Sequence, residues 1–311
     1  MIVIRNRIIL GVLNRMLTVL SKNQWGRKMF SPLIKWKKCN GQMYIIDDSF
    51  IEYVQKKKAG LEKHASDIEV IGIRGSYVDY GFYAQDITKF YNLGLTSTDL
   101  YVTYWMYVND LRKLPRLKSI VLYYSVFAPG LSLIRTNEKY RQVVYDYFFN
   151  IPIQKEASLN EDLVSHIKKK CREFVGNEVD ENYWGYEKKT FFLSIEAEKR
   201  VVTHLRENNR EPDQMEWLMK LSQKLDEDGR NLYIVITPFR SDYKRELPEC
   251  SVLFHKLYDL QLAPNTRILN YFYSPLFDDS DFGDTDHLNE KGAMKITDEI
   301  RKEIFADTKG G

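Results

Sequence analysis

Ile68-Glu69-Val70-Ile71-Gly72-Ile73-Arg74-Gly75-Ser76 is the stretch that decides the fold. Its short β-branched run reads as a strand, and Gly75-Ser76 closes it. A helical pattern follows from about Tyr83. Open α/β sheets gather ligands and reactive groups just beyond the carboxyl ends of their strands, and Ser76 falls at that place. A helix beginning there would turn unpaired N–H groups and its positive dipole end toward developing negative charge. Ser is also a common helix cap, and from Gly75-Ser76 alone capping is the plainer reading.

Working outward, strands are expected at 68–74, 91–94, 119–126, 231–237 and 267–273, and helices at 83–89, 97–113, 193–207, 212–228, 245–258 and 289–305. Alternating strand and helix predicts a parallel sheet covered on both faces. The expected fold is therefore α/β, a three-layer flavodoxin-like sandwich around about five parallel strands. Between the third and fourth strands lies an oversized segment, 129–192, opened by Pro129-Gly130. Connections that long are usually lids or binding subdomains. Its Tyr140, Tyr145, Tyr147, Tyr183, Trp184 and Tyr186 either stack on sugar faces or pack the insert's own core. The expected organisation is a basic helical extension at 1–66 and an α/β domain at 67–311 carrying the insert.

A second stretch supplies a chemical partner for Ser76. Phe282-Gly283-Asp284-Thr285-Asp286-His287-Leu288-Asn289 runs from a loop into the last helix, which Asn289 or Asp286 can cap. Asp284 three residues before His287 suits a dyad: the carboxylate fixes one ring nitrogen and leaves the other to take a proton from a nucleophile. Ser76 is the candidate nucleophile, His287 the base and Asp284 its orienting group.

These residues resemble blocks of the SGNH (GDSL-like) hydrolases, and most of all their polysaccharide-modifying branch. The resemblance rests on Gly75-Ser76 with Gly81, on Asn92-Leu93-Gly94, on Val235-Ile236-Thr237-Pro238 and on Asp284 through Ala293. It covers roughly 67–128 and 230–305 and is most specific in the last block. It implies acyl-ester chemistry, hydrolysis or O-acyl transfer, on a carbohydrate, a cell-surface polysaccharide precursor or an acylated small molecule. One departure stands out. The family's third block supplies an Asn side chain to the oxyanion hole, whereas here Ser119 to Tyr124 runs into Ser125-Val126-Phe127-Ala128. The hole would then use backbone N–H groups of Ser76 and Gly94, with Ser125 as a substitute donor. An unreplaced donor costs about 3 kcal/mol of transition-state stabilisation, which favours a slow, selective enzyme or an inactive scaffold in a polysaccharide-assembly complex.

Composition narrows the remaining choices. The chain has 311 residues, 44% of them hydrophobic, enough for a full core. Cys39, Cys171 and Cys250 are odd in number and far apart, which suggests free thiols in a reducing, cytoplasmic setting. No Cys or His spacing suits zinc, and His64, His166, His204 and His255 read as structural. The acidic loop with Asp279, Asp281 and Glu290 fails as a calcium loop because Gly283 falls one position early. No cofactor or metal is expected. Residues 1–64 hold 13 Lys/Arg against 4 Asp/Glu, while the rest of the chain is net acidic. Arg7 to Lys22 projects as an amphipathic helix, but Asn14 and Arg15 interrupt its apolar run before a membrane span is reached. No small-residue cleavage site follows, so it does not read as a signal peptide. It packs on the core or a partner, or residues 1–22 lie on an anionic membrane surface at the inner face. The basic Lys56-Lys57-Lys58 adds to the second reading. No nucleic-acid module is recognisable.

Overall fold

The computed structural model describes residues 47–85, 87, 89–189 and 195–307, together with two short strands, β1 (Trp36–Cys39) and β2 (Gln42–Ile45), that pair antiparallel. The stretch Arg7 to Lys22 lies outside the described residues. Five parallel strands form the central sheet: β3 (Val70–Ile73), β4 (Phe90–Leu93), β5 (Ser119–Tyr124), β6 (Asn231–Ile236) and β7 (Thr266–Asn270), in the order β4-β3-β5-β6-β7. All residues of β3, β4 and β5 are buried, as expected for strands covered on both faces. Each wholly buried aliphatic side chain, such as Ile71, Ile120 or Leu122, contributes about 1.5–3 kcal/mol.

Two helical layers flank the sheet. On one side α2 (Gly75–Gly81) packs with α11 (Glu290–Asp307), and elsewhere α3 (Leu100–Asn109) packs with α7 (Met215–Glu227). The architecture is the expected α/β three-layer sandwich. Among the described residues no helix is long and apolar enough to cross a membrane.

The expected domain boundary at 66 does not survive. Residues 48–63 form a helix, α1 (Asp48–Lys63), that buries Phe50, Ile51, Val54 and Leu61 in the main core. Each member of the three-lysine run has an acidic partner: Lys56 pairs with Glu187 at 2.7 Å, Lys58 with Asp110 at 2.5 Å, and Lys57 with Asp79 at 2.9 Å. Lys57 and Asp79 are both completely buried.

The insert is also part of the body. Its helices α4 (Arg141–Phe149) and α5 (Glu161–Phe174) pack on α1. Its late limb covers the free edge of β4, where the Trp184 carbonyl accepts a hydrogen bond from the Asn92 N–H at 2.9 Å. Tyr140, Tyr145, Tyr183 and Tyr186 are buried, and Trp184 stacks on His64 at 4.0 Å. These rings pack the insert and its seam with the sheet. The expected helix at 245–258 is instead three short turns: α8 (Ser241–Arg245), α9 (Cys250–Leu253) and α10 (His255–Tyr258).

Candidate active site

The helix after β3 starts at Gly75, well before Tyr83, and ends at Gly81. The turn into it is tight: Arg74 has φ +85° and Gly75 φ +59°. A left-handed non-glycine residue costs on the order of 1–3 kcal/mol and persists only where its surroundings impose it. Here the Arg74 guanidinium is buried and donates to the carbonyls of Tyr123 and Ala128, at 3.1 and 3.5 Å. Burial lowers its pKa to about 10.

Arg74 is the cap residue of α2, so Ser76 does not cap it. The Ser76 Oγ instead lies 2.9 Å from Nε2 of His287. Both carboxylate oxygens of Asp284 face the other ring nitrogen, Nδ1, at 3.1 and 3.0 Å. Asp284 also accepts the backbone N–H groups of Asp286 and His287, at 3.0 and 2.8 Å, which pins the loop that carries the imidazole. Asn289 caps α11 by accepting the Gly292 N–H at 3.1 Å. The three residues expected to act together are therefore in contact across more than two hundred positions of sequence.

The proposed oxyanion donors fare unevenly. The Ser76 N–H lies in the first turn of α2, where a helix leaves N–H groups without intrahelical partners. Gly94 is a correction: its N–H donates to the Asn92 side-chain oxygen at 2.8 Å and is not free for an oxyanion. Gly94 serves packing, since a Cβ there would stand 2.2 Å from the Asp79 backbone nitrogen. Ser125 is buried three residues beyond Leu122, and Leu122 pairs with Ile73, which lies three residues before Ser76. Ser125 and Ser76 thus leave adjacent strands at the same level.

Further residues complete the site. Asn92 clamps the far end of α2, its side-chain N–H groups donating to the carbonyls of Val78 and Phe82 at 2.9 and 2.7 Å. The Tyr77 and Tyr80 rings flank the imidazole, each with its centroid 4.9 Å from that of His287. A second carboxylate, Asp286, sits 3.9 Å from Nδ1 and is 1% exposed. Arg200, from α6 (Ala197–Asn208), grips it with two hydrogen bonds of 3.0 and 3.1 Å, while Tyr77 donates at 2.6 Å and Thr285 at 3.0 Å. Burial opposes ionisation of Asp286, but the facing His287 and Arg200 outweigh it and hold its pKa well below the usual carboxylate range. His204 lies 3.9 Å from Asp286, yet burial pushes its pKa down to about 3. It is therefore neutral and pairs with the Tyr243 hydroxyl at 2.5 Å.

Asp284, Asp286 and His287 also bring their ligand atoms within 4.8 Å of one another. A cation there would have to displace the Asp284–His287 and Asp286–Arg200 contacts, so the donor set does not suit a resident metal. In the acidic loop, Asp281 is engaged by Lys295 at 2.7 Å and Lys291 at 3.2 Å. The insert does reach this region: Lys189 lies over the Tyr80 ring at 4.7 Å, and the loop after β4 is tied to the insert through Ser97, Glu138 and Arg141. Compared with protein-family models, curated proteins and solved structures, the chain matches none.

Proposed function

We propose that the protein performs acyl-ester chemistry through Ser76, His287 and Asp284, in the manner of the SGNH hydrolases it resembles. The observation that carries this reading is the unbroken relay from Asp284 through Nδ1 and Nε2 of His287 to the Ser76 hydroxyl. His287 Nε2 takes the hydroxyl proton as Oγ bonds to the acyl carbon. The tetrahedral intermediate then expels the alcohol, which leaves with the proton from Nε2. Asp284 stabilises the imidazolium without taking its proton. The acyl-enzyme is resolved by water or by a second hydroxyl, which takes the same path in reverse. The substrate class, a carbohydrate or cell-surface polysaccharide precursor, rests on the resemblance alone.

Transfer is favoured over hydrolysis by the insert, which walls the site through Lys189 and the loop at 94–99. A transferase must keep water from its acyl-enzyme. A second reading, a weakened scaffold of the same fold, is favoured by the oxyanion hole: the third-block Asn is replaced by Ser125 and the Gly94 N–H is engaged elsewhere. Fluorophosphonate labelling of the full chain, mapped by mass spectrometry, separates the two. A stoichiometric adduct on Ser76 supports the enzyme. No adduct on folded protein, with no acetate released from activated acetyl esters, leaves the scaffold. Following acetate against acylated sugar in the presence of glycan acceptors then separates transfer from hydrolysis.

A further inference from the structure

The carboxylate of Asp79, three residues beyond Ser76 in the same helix, faces two ammonium groups. Its Oδ1 takes Lys57 at 2.9 Å, and its Oδ2, which has no hydrogen bond, faces Lys189 at 3.5 Å. Lys57 is wholly buried and spends its other donors on the carbonyls of Asn92 and Gly185, at 3.2 and 2.5 Å. Neighbouring carboxylates are matched elsewhere: Glu187 by Lys56 at 2.7 Å and Glu290 by Lys188 at 2.6 Å. One carboxylate between two lysines leaves a surplus positive charge, and the lysine that reaches solvent is Lys189, with 28% of its side chain exposed. Burial disfavours its charge, but the facing Asp79 outweighs that and raises its pKa.

Its position gives that charge a use. Lys189 Nζ lies 4.7 Å from the centre of the Tyr80 ring and 5.7 Å from that of Tyr53, and the centre of the Tyr80 ring is 4.9 Å from that of His287. One aromatic ring is thus in contact range of both the ammonium and the imidazole. A ring-shaped substrate lying along Tyr80 with its ester at Ser76 would set a substituent against Lys189. We infer that Lys189, with Tyr80 and Tyr53, forms a subsite for an anionic group on the substrate, a carboxylate carried by an acidic sugar. This rests on the ester chemistry proposed above and adds the charge of the substrate to it.

The test compares acetylated glucuronate with its neutral methyl ester on the full-length protein, alongside binding of free glucuronate followed by ligand-observed NMR. The wild type should favour the anionic ester. Lys189→Met should reduce that preference, and glucuronate binding, about fivefold, the scale of a partly exposed charge pair. Lys189→Arg should restore both. Melting curves of each variant establish that it is folded. An unchanged preference in Lys189→Met, or a wild type indifferent to the charge, overturns the subsite. The binding arm decides even if Ser76 is never acylated, because free glucuronate needs no chemistry. Loss of labelling with retained, Lys189-dependent binding would sink the esterase reading and leave the subsite standing.

Discussion

Replacing Arg200 by Met isolates the buried charge beside His287. Arg200 holds Asp286 through two hydrogen bonds, and that carboxylate is 1% exposed. Removing one partner of a buried pair generally costs about 3–5 kcal/mol, because the other charge is left uncompensated in a dry site. The lower end applies here. The Arg200 side chain is itself 22% exposed, and Tyr77 and Thr285 continue to donate to Asp286 in the variant. About 3 kcal/mol corresponds to a fall in melting temperature of roughly 6 °C for a chain of this size. Arg200→Met/Asp286→Asn should recover much of the loss, since the orphaned charge disappears with its partner. A pH series adds a second constraint. The folded-state pKa of Asp286 is held down, so its contribution is present above about 4, the unfolded carboxylate value, and is lost as pH falls through the lower folded value. Without Arg200 one cause of that depression is gone, and the acid-side loss of stability should be shallower than in the wild type. Thermal unfolding between pH 3 and pH 7, as an order-of-magnitude window around that carboxylate value, reads both effects. A double variant that melts no higher than Arg200→Met, or an unaltered acid slope, would refute the reasoning.

Two further outcomes follow from the geometry. Asp284→Asn should cut the rate of Ser76 labelling by about 10⁴-fold, the scale seen when an orienting carboxylate is lost, while a rate within about twofold of wild type would deny Asp284 its role. Gly94→Ala should destabilise by about 3 kcal/mol or more, because the added carbon meets the α2 backbone at 2.2 Å. Gly81→Ala, whose added carbon meets the edge of the Tyr123 ring at 3.0 Å, should cost less, and calorimetry that reversed this order would count against the packing account.

How much was legible in the sequence depends on whether a residue's role is local. The strand ending at Gly75-Ser76 and the Asp284–His287 loop could be read because three-residue spacing and hydrophobic runs carry their information along the chain. The start of α2 was misplaced because Arg74 adopts a left-handed φ that no motif at that position announces. Helix α1 falls in the expected helical extension but belongs to the main core; its apolar stripe, Phe50, Ile51, Val54 and Leu61, has Lys57 in its middle, which makes a buried face look solvated. Asp79 explains that lysine, but its ion pair spans 22 residues. Arg200 and Asp286 are 86 apart, and no periodicity connects them. Gly94 was legible as a necessary glycine and misread in purpose, since close approach to a helix and close approach to an oxyanion leave the same mark in sequence.

The Lys57 ammonium sits where four distant segments meet: its own helix, the helix of Ser76 at Asp79, the β4 backbone at Asn92 and the insert at Gly185. A moving lid needs a hinge and a seam that can part, and this seam closes on a dehydrated cation. Swinging the limb around Gly185 away from α2 would strip Lys57 of a charge-assisted hydrogen bond, worth about 1.5–3 kcal/mol, in a place water does not reach. That limb therefore behaves as a fixed jamb, locked in position relative to Ser76. On the chemistry proposed above, a substrate would meet this limb already in place, and selection would work by rejection and not by a clasp that shuts on whatever has entered.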